Sequence, residues 1–225
     1  MGIIIAIDGP AGSGKSSTAK EVARRLGFTY IDTGAMYRSV TLEIIRRKID
    51  ICDEDQIEKI ARESCIQFQW IDNKYHILLN GEDVSDEIRS SDVASLVSPV
   101  SALAGIRKIL AERQRQMAQD DNIVMEGRDI GTNVFPDADF KFYMDADIRV
   151  RAERRIKDYQ AIGQKLSVAE IVRELEKRDK IDSSRSHSPL KKAEDAIIID
   201  TTNLSFEEQV EEIVKIVQNK ICVMD

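Results

Sequence analysis

The octet Gly9-Pro10-Ala11-Gly12-Ser13-Gly14-Lys15-Ser16 fits G-x-x-x-x-G-K-[ST] at every fixed position, and Ser17 follows it. That spacing suits the holding of a polyphosphate. Several backbone N–H groups must converge on the anion, and glycine permits both the sharp turn and the close approach this needs. Lys15 is expected to bridge the β- and γ-phosphates, and the Ser16 hydroxyl to ligate Mg²⁺. Gly9, Pro10, Ala11, Gly12, Ser13, Gly14, Lys15, Ser16 and Ser17 are therefore the expected nucleoside-triphosphate-binding residues.

Other polar residues follow apolar runs that read as strands. Asp32, Thr33, Tyr37 and Arg38 follow one, Glu126-Gly127-Arg128-Asp129 a second, and Asp145-Ala146-Asp147 a third. Asp129 or Glu126 could order Mg²⁺ or its waters, or the aspartate could simply cap a helix. Arg151, Arg154 and Arg155 share a helix face, where like charges at i, i+4 repel unless an anion sits among them. Either Asp147–Arg151 and Arg154–Asp158 pairs make this a solvated face, or a mobile lid delivers arginines to a transferred phosphoryl group. Arg178, Asp182 and Arg185 recur at i, i+4, i+7. They form a structural ion pair, or two phosphate-facing arginines with a carboxylate for a ribose hydroxyl.

The arginines bear on the acceptor. An alcohol needs a carboxylate base to take its proton. A phosphate monoester, with a second pKa near ~6, is already a dianion at neutral pH. Its difficulty is repulsion between two phosphates, which arginine relieves. The pattern favours a nucleotide acceptor. His76 and His187 have no base's task in such a reaction.

The elements that must position these groups alternate. Ile3 to Ile7 reads as a buried strand entering the loop. Ala19, Val22, Ala23 and Leu26 then fall at helical spacing, and Gly27 closes the helix. Phe28 to Ile31 is a short strand, followed by a helix from about Ala35 to Lys48. Asp53 to Gln56 starts another helix, backed by Ile57, Ile60 and Ala61. Between about Ser64 and Ser91 the period changes to two: Ile66, Phe68 and Trp70 alternate with glutamines, Asp72-Asn73-Lys74 turns the chain, and Asn80-Gly81 is a hairpin turn. A long helix is expected from Pro99 to Met117, strands at Asn122–Met125 and Phe140–Met144, and a charged helix from about Asp147. Ser167-x-x-Glu170 and Ser205-x-x-Glu208 are capping boxes, flanking a last strand at Ala196–Ile199. The closing helix should bury Phe206, Val210, Ile213, Val214, Val217 and Ile221. The sum is an α/β fold with a five-stranded parallel sheet flanked by helices, ligands gathering at the carboxyl ends of the strands.

Bulk properties bound the rest. The 225 residues are 42% hydrophobic and 32% charged, which suits one globular domain with an insertion. A net charge of −7 disfavours a nucleic-acid or polybasic membrane role. Cys52, Cys65 and Cys222 form no C-x-x-C pair, so buried thiols in a reducing compartment are expected rather than disulfides or a zinc site. No basic leader precedes Ile3 and no apolar run reaches membrane-spanning length, so a cytoplasmic location is expected.

Taken together, Ile-Asp-Gly-Pro-Ala-Gly-Ser-Gly-Lys-Ser (7–16), Asp-Thr-Gly-Ala-Met-Tyr-Arg (32–38), Glu-Gly-Arg-Asp-Ile-Gly-Thr (126–132), Val-Phe-Pro-Asp-Ala (134–138) and Arg-Asp-x-x-Asp-x-x-Arg (178–185) resemble bacterial cytidylate kinases. The resemblance runs nearly the whole length, in order, and includes the β insertion. It implies a nucleoside monophosphate kinase domain of the P-loop NTPase group. Its core would comprise about 1–32, 95–146 and 186–225, its NMP-binding region with the antiparallel insertion about 33–94, and its helical lid about 147–185. The implied reaction is phosphoryl transfer from ATP, with Mg²⁺, to CMP or dCMP. Ser98, Arg107 and Asp129 would read the cytosine edge. Arg38, Arg128 and Arg185 would hold the acceptor phosphate, with Asp182 and Arg178 around the ribose and Thr33 and Tyr37 lining the pocket. Thr33 stands where some relatives have serine, which keeps the hydroxyl. The catalytic set would be Lys15, Arg128, Asp129, Arg151, Arg154 and Arg185, in a monomer that binds small nucleotides and neither nucleic acid nor membrane.

Three rivals remain at this stage. A P-loop kinase of a metabolite hydroxyl, or of UMP, would differ in its acceptor, with Asp32 or Asp129 as base. A GTPase switch would carry N-K-x-D, whereas Asn73-Lys74 is followed by Tyr75-His76. A nucleic-acid ATPase would show aromatic and basic interleaving, which is missing here.

Overall fold

The computed structural model describes residues 2–72, 74–119, 121–161 and 166–224. The chain divides into two compact units. The first comprises Met1–Tyr30 and Ala118–Asp225, and the second Ile31–Met117.

The first unit is built on a five-stranded sheet of order β2-β6-β1-β7-β8. Its strands are β1 (Ile4–Asp8), β2 (Thr29–Asp32, whose last residues open the second unit), β6 (Ile123–Gly127), β7 (Phe140–Asp145) and β8 (Ile197–Asp200). β1 pairs in parallel with β6 and β7, and β7 with β8. Strands covered on both faces read as continuous apolar runs, and Ile5, Ala6, Ile7, Ile123, Val124 and Met125 are fully buried. The helices are α1 (Lys15–Leu26), α6 (Ile148–Ala161), α7 (Val168–Ser184) and α8 (Phe206–Met224). α1 ends on Gly27 at φ 71°, whose N–H donates to the Ala23 carbonyl. Both capping boxes form. Ser167 and Glu170 exchange the two bonds at the start of α7, and Ser205 and Glu208 do so before α8. On α8 the apolar face buries Val210, Ile213, Val214 and Val217 but leaves Phe206 exposed. Of the expected lid, 162–165 lie outside the described residues.

The second unit packs α2 (Thr33–Arg46), α3 (Glu54–Glu63), α4 (Ser91–Ala102) and α5 (Ala104–Gln116) around one apolar core that includes Met36, Ile44, Ile57, Ile88, Ile106 and Leu110. An antiparallel sheet of order β3-β4-β5 (Ile66–Ile71, Lys74–Leu79, Glu82–Asp83) adds Ile66, Ile77 and Leu79 to that core. Asn80 (φ 53°) and Gly81 (φ 86°) make the expected hairpin turn, while Asn73 of the other turn lies outside the described residues.

Two further expectations are corrected. The single helix from Pro99 to Met117 is instead two helices bent by 93°. α4 begins at a Ser90 cap and carries Pro99 inside it, and the break falls at Leu103, in extended backbone. The three thiols expected to be buried are all exposed. No single described helix is long and apolar enough to cross a membrane.

Candidate active site

β1 delivers its chain directly into the glycine loop. A side chain at Gly9 would put a Cβ 2.1 Å from the Met144 carbonyl oxygen of β7, so only glycine fits. Gly14 takes φ 91° immediately before α1 begins at Lys15. The first N–H groups of α1 have no partners within the helix and form an anion site. Lys15 is 6% exposed, with Nζ 3.3 Å from the Pro10 carbonyl and 3.8 Å from Glu126 Oε2. Glu126, equally buried, accepts a 3.1 Å hydrogen bond from the Tyr30 hydroxyl. The Ser16 side chain is at the surface, in the first turn of α1.

Other elements brace the loop from behind. The Thr18 hydroxyl donates to Gln209 Oε1 at 3.1 Å, and Gln209 Nε2 donates to the Leu204 carbonyl at 3.0 Å. Thr201 Oγ1 lies 2.9 Å from the Ser13 carbonyl oxygen.

At the end of β6, one strand over from the loop, acids and arginines interlock. Ile7 of β1 is level with Glu126, and Asp8 with Gly127, so Arg128 and Asp129 emerge beside the loop's entry. Arg128 Nε donates to Asp182 Oδ2 at 3.1 Å. Arg185 sits 3.8 Å from Asp182 Oδ1 and 3.9 Å from Asp129 Oδ1, longer than hydrogen bonds. Asp129 and Asp182 are each 4% exposed. The structure thus brings Arg128, Asp129, Asp182 and Arg185 together, with Arg178 half-buried one turn earlier on α7. A π-helical turn, Ile130–Val134, follows Asp129. Its first two N–H groups donate to the carboxylate of Asp8, Ile130 to Oδ1 at 2.9 Å and Gly131 to Oδ2 at 2.8 Å. Burial pushes the Asp8 carboxyl up to about 7 against the lowering effect of these two bonds.

The arginines of α6 answer the alternatives posed for them. Arg151 is buried and donates from Nη1 to the Ala11 carbonyl of the loop (3.2 Å) and to Asp179 (2.7 Å). Arg154 donates to the carbonyls of Ser13 and Thr201 and to the Thr201 hydroxyl. Arg155 lies over the Tyr159 ring at 5.3 Å. The expected Asp147–Arg151 pairing is replaced by Asp179, because Arg151 turns inward, and the side chain of Asp158 lies outside the described residues. In this state α6 grips the loop's carbonyls.

The second unit holds the remaining candidates. Asp32 caps α2 through the Ala35 N–H (2.8 Å) and accepts from Arg38 Nη2 (2.8 Å), so its carboxylate is engaged on both oxygens. Arg38 Nε is buried without a hydrogen-bond partner. Thr33 and Tyr37 are buried on the same helix. Arg107 on α5 is 4% exposed, donates to the Ser101 carbonyl at 3.1 Å, and lies 5.4 Å above the Tyr37 ring. Ser98 on α4 is half-buried, and its carbonyl accepts from the Ser101 hydroxyl at 3.0 Å. His76 pairs with Asp83 across β4 and β5, a structural contact.

Sequence reasoning missed Asp8, Tyr30, Thr201 and Gln209. Gln209 carried a signal, being a polar residue within the apolar stripe of α8. The others contact residues far away in sequence and gave none.

The metal test rests on the donor set. Among the described residues no three acidic, histidine or cysteine side chains cluster as metal ligands. A Mg²⁺ held by one hydroxyl, with phosphate oxygens and water completing its shell, fits such a site. Ser16, exposed in the first turn of α1, is the residue that would offer that hydroxyl.

A glycine loop between a buried strand and a helix, on a parallel sheet, defines a P-loop nucleotide-binding protein. An uncharacterised protein of Eubacterium ventriosum shares the fold, with a TM-score of 0.54 at 15% identity over 96% of this chain and 98% of its own. The family model described as cytidylate kinase matches residues 5–219. The cytidylate kinase of Caldanaerobacter subterraneus subsp. tengcongensis is 49% identical over 209 residues, 93% of this chain and 92% of that relative. That of Acholeplasma laidlawii is 47% identical over 218 residues, 97% and 96% of the two chains. The chain belongs to the cytidylate kinase family.

Proposed function

We propose that the chain transfers the terminal phosphoryl group of ATP to CMP and dCMP by direct in-line displacement, giving ADP with CDP or dCDP. The observation that carries this reading is the register of β1 with β6, which sets the glycine loop beside Arg128, Asp129, Asp182 and Arg185. Two phosphates must meet with their charges neutralised, and the reaction asks little of the protein beyond position and charge. Gly9 to Ser17 cradle ATP, and Lys15 leaves Glu126 for the β- and γ-oxygens. Ser16 would hold Mg²⁺, which would supply neutralisation of phosphate charge.

Arg128 and Arg185 hold the acceptor phosphate, with Arg38 offering its buried Nε–H to the same anion. Asp182 and Arg178 meet the ribose, and Thr33 and Tyr37 line the pocket. Ser98, Arg107 and Asp129 meet the cytosine, whose amino group needs an acceptor and whose N3 and O2 need donors. Arg151 and Arg154 complete the catalytic set from α6, moving from loop carbonyls to phosphoryl oxygens. The net charge of −7 speaks against nucleic-acid and polybasic membrane partners, and the family resemblance is the ground for reading the chain as a cytoplasmic monomer that works on small nucleotides.

The test is ATP consumption with Mg²⁺ against CMP, dCMP, UMP, AMP, GMP and no acceptor. Turnover confined to CMP and dCMP, with weaker UMP, is expected. Consumption independent of acceptor, or none with any nucleotide, refutes the reading.

A further inference from the structure

Asp129 stands at the N-cap position of the turn Ile130–Val134, where an aspartate ordinarily spends its carboxylate on its own helix. Here it caps none of the N–H groups at the start of the turn. Its backbone takes φ −146°, ψ 25°, and its side chain makes no capping bond. One carboxylate oxygen instead accepts from Asn133 Nδ2 at 3.0 Å, and the other faces Arg185. The capping is supplied from β1. Asp8, 4% exposed, takes the N–H groups of Ile130 and Gly131 on separate oxygens. The carboxylate is in close contact with the turn it caps, since a Cβ on Gly131 would lie 3.5 Å from Asp8 Oδ2.

We infer that Asp8 is a positioning residue for the acceptor site: by capping the turn from β1 it fixes the segment that carries Asp129. This rests on the reading of Asp129 given above and goes beyond it. The loop's entry strand and the acceptor-binding segment thereby share one side chain.

The substitution Asp8→Asn keeps the shape and changes the chemistry. An amide has one acceptor oxygen, so its NH₂ must confront either the Ile130 or the Gly131 N–H. One donor loses its partner, and the turn that carries Asp129 loses part of what holds it in place. The KM for CMP should rise about tenfold or more, with kcat and the KM for ATP changed less than about threefold, tenfold corresponding to one lost hydrogen-bond-sized interaction. The decisive readout is a double-mutant cycle with Asp129→Asn. In the Asp129→Asn background, Asp8→Asn should change the CMP KM by less than about twofold. Additive effects, or equal losses toward ATP and CMP, overturn the inference while leaving the acceptor reading intact. An unchanged CMP KM in Asp129→Asn alone overturns that reading, and the inference with it.

Should Asp8→Asn not fold, the wild-type chain serves. Coupling is reciprocal, so CMP that engages Asp129 must strengthen the cap. Saturating CMP should slow hydrogen exchange at the Ile130 and Gly131 amides in wild type and not in Asp129→Asn. Exchange indifferent to CMP in the wild type sinks the inference.

Discussion

Lys15 and Glu126 face each other inside the protein at 3.8 Å, too far for a hydrogen bond and close enough for each to neutralise the other. This arrangement places a buried cation beside a carboxylate without a direct hydrogen bond to hold it there. Lys15→Met should lower kcat at least ~100-fold, as removal of a group that stabilises transition-state charge does. It should also destabilise the fold by roughly 3 kcal/mol, because buried Glu126 loses the cation beside it. Adding Glu126→Gln should restore stability in urea titration but not activity. Recovery of both would remove Lys15 from the chemistry. Asp8 gives a second prediction at this scale. Its folded pKa is raised to about 7, so its contribution to stability is fully present below the unfolded value of 3.8 and is lost as pH rises through 7. Relative to wild type, Asp8→Asn should therefore gain stability between pH 4 and pH 8, by an amount on the order of 4 kcal/mol. A difference that stays flat across that range would show that the carboxyl is not perturbed.

At the scale of elements, the glycine loop is gripped from several sides: β7 closes over Gly9, α6 holds the carbonyls of Ala11 and Ser13, and α8 reaches Thr18 through Gln209. Much of the order of strands and helices was legible in the sequence, because the inner strands of the main sheet are apolar runs and helices such as α1 and α8 carry an apolar stripe. Legibility failed where the cause was not local. The Pro99–Met117 reading took proline for a helix start, whereas Ser90 starts α4, the helix tolerates Pro99 inside it, and the bend at Leu103 has no residue signature. Within the site, arginine and carboxylate types announced themselves. The cap on Ile130 and Gly131 did not, since Asp8 lies more than a hundred residues away in sequence. α7 offers a test of local against distant control. Ser167→Ala breaks its capping box at the end remote from Arg185 and should cost about 1 kcal/mol in thermal unfolding with kcat unchanged. A fall in kcat at full occupancy would mean that α7 transmits its order to the arginines.

The whole molecule consists of two units, each with its own apolar core. The acceptor candidates divide between them, Thr33, Tyr37, Arg38, Ser98 and Arg107 on one and Arg128, Asp129, Arg178, Asp182 and Arg185 on the other. Damage to the core of the second unit should therefore reach only part of the chemistry. Leu110→Ala, at a fully buried position, should cost about 2–5 kcal/mol in urea titration. Below its melting temperature ATP binding measured by calorimetry should persist while the CMP KM rises. Equal loss toward both nucleotides would show that the two cores act as one.

The exposure of all three cysteines gives this division an experimental handle. Cys52 and Cys65 belong to the second unit and Cys222 to the first, so the native chain already offers an attachment point for a label in each. The Cys52 thiol is pushed up by its hydrogen bond to Asp50, which slows its attack on a maleimide. Replacing Cys52 by serine leaves one thiol per unit. A label on Cys65 or on Cys222 would then report on one unit at a time as each nucleotide arrives.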